Sequence, residues 1–441
     1  MANNFFFNKL INKIFFSTFK FVIVKPLNLA SVFSYKNLFN NFLFFLIQKR
    51  WRSAANIIYK LIFKFIINLL KIIYLPFIIA IYFSRFRFVQ IDYTQIGTVC
   101  LNLNTMSKFH YLNNYIPVIC LPKSIDNFCI TKIFKNIKII DNILFNILLL
   151  PLIHTDFISC PPYLTDYYVD SDLKKIGNNF TTKILKDYEN KINKKLFNLN
   201  ENYNNKMSQY LEKNFKNINK NKIYILHVRD NEYIPTSYLR SATIQNYTST
   251  INYLLNSGYS VIRLTNSHSE KLLLKGEYLE LNTDILFNRY FQYYLISISR
   301  GFIGCSSGAS AIGCLFEVPC LAVNLFYLST YAIKPKDIYI FKKIKKIDGK
   351  YLNFKKIFND RLYETGGSLP AMNANKLIAI ENTPDEILNA TKEFININVY
   401  SDVQWTKRQI DFKNSLPAHS DFSFSDARVS DYFIKKNIEL F

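Results

Sequence analysis

Near the middle of the chain, the ten residues YILHVRDNEY place three groups capable of chemistry at the end of an apolar run. Ile223, Tyr224, Ile225 and Leu226 read as a buried strand, and His227, Arg229 and Asp230 follow at once. Alternation along a strand puts His227 and Arg229 on the same side. A guanidinium there can fork onto a phosphate, and an imidazole beside it can donate a hydrogen bond or move a proton. The alternative is a strand-end ion pair between Arg229 and Asp230 with His227 packed, and the local sequence leaves both open.

Two further strand ends carry comparable groups. The stretch VIRLTNSH delivers Arg263 at a similar height, although a lone arginine on a strand is more often a structural partner than a ligand. Gly304-Cys305-Ser306-Ser307-Gly308 is a small-residue turn between a strand and a helix. It offers backbone N–H groups and two hydroxyls at a helix N-terminus, a setting that accepts phosphate or a sugar hydroxyl. Each signal is weak alone, but three strand ends of one domain converge on groups suited to an anionic ligand. The Asp-x-Asp motif, Asp170-Ser171-Asp172, lies in a polar stretch away from the strand ends. It reads as a capping cluster, so neither a metal nor another cofactor is expected.

These groups need elements to position them. After residue 91, short apolar runs alternate with helical stretches, the pattern of a parallel sheet covered on both faces. QIGTVCLNLN (95–104) reads as a strand and turn, YIPVICLP (115–122) as a second strand, and residues 133–140 and 145–150 continue in the same manner. Residues 171–222 are rich in Lys, Asn and Glu and read as a solvated helical bridge. Beyond it, strands at 223–228, 259–264 and 318–324, with GFIGCSSGAS (301–310) running from strand into loop, alternate with helices at 244–256, 284–300 and 309–317. Thr383-Pro384-Asp385-Glu386 supplies an N-cap, a first-turn proline and two acids, opening a helix to about Phe394. The expectation is an α/β chain with two doubly wound, Rossmann-like domains and a cleft between them. The segments are a leader (1–90), a first domain (91–170), the bridge (171–222), a second domain (223–375) and closing helices (376–441). Ligands in such sheets sit beyond the carboxyl ends of the strands.

The chain has 441 residues and a formal net charge of +23, placed unevenly. Met1 to Gln90 carry 13 Lys and Arg and no acid, the first being Asp92. Cations interleaved with Phe, Ile and Leu suit an anionic bilayer surface, where each contributes roughly 1 kcal/mol. A nucleic-acid site would need a basic stripe on a more polar face, so no nucleic-acid partner is expected. Phe65 to Phe83 approaches the length a bilayer needs but contains Asn68, Lys71 and Pro76. Both a tilted in-plane segment and a true span stay open. Cysteines 100, 120, 129, 160, 305, 314 and 320 form no Cys-x-x-Cys pair and read as buried reduced thiols of a cytoplasmic protein.

The runs HVRD, YLRSATIQNYTSTINYLLNSGYSVIRL and ISRGFIGCSSGASAIGCLFEVPCLAVN carry a resemblance. Together with IGTVCLNL, ENTPDEI and the closing ARVSDYFIKKNIEL, they resemble a largely uncharacterised family of bacterial glycosyltransferases of GT-B type. The His-x-Arg strand end is similar to that of the fucosyltransferase and protein O-fucosyltransferase group. The resemblance spans about residues 91–441 and is strongest over 223–324. It implies a metal-independent sugar-nucleotide transferase with the donor held mainly by the second domain. Arg229 would grip the diphosphate, with Arg263 also on the donor side, and Ser306, Ser307 and Gly308 would complete the cradle. His227 and Asp230 would act on the acceptor or orient these groups, and Arg240 and Gly97 fall on the acceptor side of the cleft. Glu317 in LFEVP departs from the family's usual glycine, a helix-end change expected to leave the chemistry alone.

The expected function is a membrane-associated transferase at the cytoplasmic face of the bacterial inner membrane. It would join a nucleotide-sugar donor to a glycan or lipid-linked acceptor in surface polysaccharide assembly. The competing reading is a catalytically inactive sugar- or nucleotide-binding scaffold of the same fold.

Overall fold

The computed structural model describes residues 51–90, 96–120, 138–140, 143–153, 159–160, 168–169, 175–176, 180–192, 194–230, 239–305, 307–326, 333–360, 362, 372, 376–400, 403–418 and 420–441. Two compact units emerge, and neither is one continuous stretch. The first gathers Met1–Gln90, Tyr115–Cys120 and Ile140–Pro161; the second gathers Ile91–Asn114, Leu121–Ile139 and Pro162–Phe441. The five consecutive segments expected from the sequence do not map one-to-one onto them.

The first half contains α1 (Trp51–Ile73), α2 (Leu75–Phe83), β1 (Phe86–Gln90), α3 (Ile96–Leu112), β2 (Ile116–Cys120), β3 (Lys138–Ile140), α4 (Ile143–Ile153) and β4 (Ser159–Cys160). A short hairpin, β5 (Tyr168–Val169) with β6 (Lys175–Ile176), follows. The strands form a four-stranded sheet of order β3-β2-β1-β4, with β1 parallel to both β2 and β4. Ile78, Phe88, Leu152 and Ile153 make the small core of the first unit. Among the described residues no single helix is long and apolar enough to cross a membrane. Phe65–Ile73 and Leu75–Phe83, bent by 73°, have the length and composition only as a pair.

Two expectations are corrected here. The 95–104 run is the start of helix α3, not a strand: Val99, Cys100, Leu103 and Met106 are buried at helical spacing along one face. The 145–150 run belongs to helix α4, because a run apolar at every position but Asn146 shows no clear period and its 11-residue element is too long for a typical strand.

The second unit continues with α5 (Phe180–Lys191), α6 (Glu201–Asn214), β7 (Ile223–His227), α7 (Thr248–Asn256), β8 (Ser260–Thr265), β9 (Tyr278–Asn282), α8 (Leu286–Ile298), β10 (Gly301–Gly304) and α9 (Gly308–Leu315). It closes with β11 (Cys320–Leu325), β12 (Ile338–Phe341), β13 (Lys343–Lys346), α10 (Phe354–Asn359), β14 (Leu377–Ile380), α11 (Pro384–Val399), α12 (Lys407–Ser415), α13 (Asp421–Phe424), β15 (Arg428–Val429) and α14 (Asp431–Lys436). Seven strands pair in parallel in the order β15-β12-β11-β10-β7-β8-β9. That is the expected α/β class with a doubly wound sheet. The strand β9 had no counterpart in the sequence reading. Helix α11 opens on the expected N-cap Thr383, which also forms a capping box by exchanging hydrogen bonds with Glu386, and runs to Val399. Cys100, Cys305, Cys314 and Cys320 are buried and outside any disulfide.

The chain leaves β7 on one side through β8 and β9, then returns to the other side of β7 through β10. The strand order therefore reverses between β7 and β10. In open α/β sheets such a switch point opens a crevice at the carboxyl ends of the two strands.

Candidate functional site

The carboxyl ends of β7 and β10 meet at close quarters. His227 pairs in register with Gly304, and a Cβ on Gly304 would stand 2.1 Å from the His227 carbonyl oxygen. Only glycine lets the two strands end side by side there. Beyond them, Cys305 N–H donates to the His227 carbonyl at 3.2 Å, and Arg229 N–H points at the Cys305 sulfur at 3.2 Å. The two strand ends are thus tied to one another on leaving the sheet.

A cavity of about 360 Å³ lies over this switch point. His227 and Arg229 line it from β7, and Ser307, Gly308 and Ala309 line it from the start of α9. Ile96 contributes from α3, and Thr283, Asp284, Arg289 and Gln292 contribute from the end of β9 and the first turns of α8. All these residues belong to the second unit.

Ser307 is the N-cap of α9: its hydroxyl accepts from Ser310 N–H at 3.3 Å, and the Ser310 hydroxyl donates to the Ser307 carbonyl at 2.6 Å. The first N–H groups of a helix have no acceptor within it, and the aligned peptide dipoles make that end positive. The start of α3 lies against the start of α9 with almost no space between the backbones. A Cβ on Gly97 would come 2.8 Å from Gly308 Cα, and a Cβ on Gly308 would come 2.9 Å from Ile96 Cγ2. At the far ends of the same helices, Lys108 reaches Glu317 at 3.2 Å and Glu189 of α5 at 3.0 Å. Contact at both ends fixes α3 and α9 parallel, so two helix N-termini face one cavity.

Glu317 is held in the left-handed region at φ 61°, which explains why glycine is the ordinary residue at this helix end. In exchange for the strain, its carboxylate pairs with Lys108, which is 1% exposed, and lies 3.9 Å from Lys334. The expected helix-end change is therefore also an ion-pair partner of the α3–α9 packing.

His227 donates from Nδ1 to the Leu264 carbonyl at 3.0 Å, since a carbonyl can only accept. A neutral ring then carries its lone pair at Nε2. Asp284 accepts from Ser267 N–H at 2.7 Å, and its hydrogen bonds to Ser267 hold its pKa below the usual carboxylate value. Arg289 donates from Nε to the Thr283 carbonyl at 3.4 Å. Gln292 is buried and donates to the Arg289 carbonyl.

Four expected site residues, Arg263, Asp230, Arg240 and Gly97, lie outside the cavity lining. Arg263 is fully buried and donates from Nη2 to Asp230 at 2.7 Å, and from Nη1 to Glu280 at 2.7 Å and to the Glu270 carbonyl at 2.6 Å. Asp230 also accepts from Glu270 N–H at 2.7 Å. Burial by itself would lower the Arg263 pKa, but the Asp230 carboxylate beside it and the groups from β9 raise it. The guanidinium is thus spent on these partners, and neither Arg263 nor Asp230 lines the cavity. The pair instead ties the ends of β7, β8 and β9, with Arg263 rather than Arg229 partnering Asp230. Arg240 is half-buried in a turn outside the cavity lining. Gly97 acts through backbone packing. Ser306, Asp170 and Asp172 lie outside the described residues.

Sequence reasoning missed Asp284, Arg289 and Gln292. The signal was Tyr278–Asn282, an alternating strand whose one charged residue is the partner of Arg263. Recognising that strand would have put Thr283 and Asp284 at a fourth strand end.

No protein-family model matches the chain, and no curated protein matches it. Among solved structures the chain is similar to the glycosyl transferase family 9 protein from Veillonella parvula DSM 2008, at 10% identity and a TM-score of 0.42 over 70% of this chain and 96% of that one. It is also similar to E. coli ADP-heptose LPS heptosyltransferase II, at 9% identity and a TM-score of 0.40 over 71% and 100%. A third is E. coli heptosyltransferase WaaC with ADP-2-deoxy-2-fluoro heptose, at 8% identity and a TM-score of 0.30 over 55% and 89%. Likenesses at this level assign neither substrate nor residue roles to this chain. The resemblance to the fucosyltransferase group stays with the sequence motifs alone.

Proposed function

We propose that this chain is a glycosyltransferase of GT-B type that takes its sugar from a nucleoside diphosphate donor. One observation carries the reading: at the switch point of a parallel sheet, Arg229, Arg289 and the paired N-termini of α3 and α9 surround one cavity. Guanidinium forks and helix ends together complement a diphosphate without a metal. Arg229 holds the diphosphate in this reading, and the N–H groups at Gly308 and Ala309 share its charge. During transfer the bond between the anomeric carbon and the diphosphate oxygen breaks, and the electron pair leaves with the nucleoside diphosphate. Cations placed where that charge grows stabilise the transition state more than the ground state. The acceptor hydroxyl forms the new bond and gives its proton to Nε2 of His227. The acceptor is a glycan or lipid-linked saccharide of surface polysaccharide assembly, met at the cytoplasmic face of the membrane. The 13 cations and absent acids before residue 91 support that location.

The test is a thermal-shift screen of the full chain against GDP-, UDP-, ADP- and CMP-sugars, with Arg229→Ala alongside. A ligand at one hundred times its Kd adds about 2.7 kcal/mol to the folded state. One nucleotide class should raise the melting temperature of the wild type and leave Arg229→Ala unmoved. Equal shifts for both proteins would remove Arg229 from the site and with it the reading.

A further inference from the structure

The first unit carries an apolar surface that the leader alone does not account for. On α1, the side chains Ile62, Phe65, Ile66, Leu69, Ile72 and Ile73 recur at helical spacing and are 47–69% exposed. Helix α4, about 70 residues further along the chain, repeats the feature: Leu144, Phe145, Ile147 and Leu148 are 56–67% exposed. Its Leu152 and Ile153 point the other way into the core around Ile78 and Phe88. A helix with no charged residue on any side belongs inside a large core or in lipid. The core it has in the first unit covers only one side.

We infer that α1 and α4 together form a docking surface for an anionic lipid bilayer, with α4 inserted in the plane of the interface. This rests on the membrane location proposed above and extends it from the leader to a helix distant in sequence. Charge selects the occupant. The first unit carries 13 Lys and Arg against two acids, Asp141 and Asp156. A second copy of so cationic a surface would repel the first, whereas a bilayer of acidic lipids attracts it and accepts the leucine and phenylalanine side chains between the headgroups.

The full chain is mixed with vesicles of phosphatidylcholine alone or with phosphatidylglycerol added, and bound protein is measured by sedimentation. The wild type should bind the anionic vesicles, weakly or not at all the neutral ones, and less as salt rises. Leu144→Asp with Leu148→Asp should lower the partition coefficient at least tenfold, and Phe65→Asp on α1 should act in the same direction. These positions are exposed, so each variant should keep the wild-type melting temperature. Wild type that stays in the supernatant with anionic vesicles would overturn both the membrane location and this surface. Wild type that binds while the α4 variant binds equally would overturn the α4 surface alone and leave the leader as the anchor. A variant that turns a dimer into a monomer with unchanged vesicle binding would show that a second copy occupies the face.

Discussion

Gly97→Ala tests the geometry on which the site depends, because two physical effects oppose each other there. Glycine is a poor helix former, so replacing it by alanine within a helix favours folding by up to about 1 kcal/mol. At Gly97 the new Cβ would stand 2.8 Å from Gly308 Cα. Ordinary contact begins near 3.4 Å, so the helices must separate by roughly 0.6 Å or the start of one must unwind. Forcing a methyl into packed backbone costs about 1–3 kcal/mol. The steric cost wins, and the expected net loss is about 1–2 kcal/mol. Gly313 in α9 supplies the control: its Cβ would meet Phe302 at 3.7 Å, an ordinary contact, so Gly313→Ala should gain about 0.5–1 kcal/mol. The two single variants, measured by urea denaturation at neutral pH, should move in opposite directions. Nucleotide-induced stabilisation should weaken for Gly97→Ala and persist for Gly313→Ala. If both variants stabilise the protein, α3 and α9 do not meet backbone to backbone, and the double helix-terminus argument fails.

Removing Arg263 should damage the fold rather than the binding step. Arg263→Ala leaves Asp230 and Glu280 without their buried cation, and an expected loss of about 3–5 kcal/mol would appear in the same denaturation assay. A soluble, stable variant that has lost only nucleotide binding would restore Arg263 to the donor site. Glu317→Gly relieves the left-handed backbone that Glu317→Ala keeps, while both lose the pair to Lys108. The glycine variant should be the more stable of the two by about 1 kcal/mol. Stability should also fall on the acid side through Glu189. Burial alone would raise its pKa, but Lys334 and Lys108 together outweigh that and hold it below the ordinary value of 4.5. The stabilisation is therefore present above about pH 4.5 and is lost as the pH falls through the lower folded-state value. Denaturation midpoints between pH 6 and 3 should fall more steeply for wild type than for Glu189→Gln.

The sequence by itself determined what short-range physics can decide. The apolar strand ending at His227, the cap at Thr383, the small-residue turn into Gly308 and the acid-free leader were all legible, because each depends on neighbouring residues. So was the doubly wound α/β class, which follows from alternation of strand and helix periods. Tertiary structure alone decided the partners. Asp230 could have paired with Arg229 next to it, but the parallel register of β7 and β8 brings Arg263 to it across 33 residues. Burial then commits both to the fold, since a desolvated charge needs its counter-ion. Gly97 read as part of a strand because the β-branched and apolar residues around it hid a helical face. Its meaning appeared only when Gly308, over 200 residues later, was found against it. Asp284 and Arg289 became site residues because strand β9, lying beside β8, ends near the same crevice. Residues distant in the chain carry no mark of their meeting, and only the packed sheet brings them to one place.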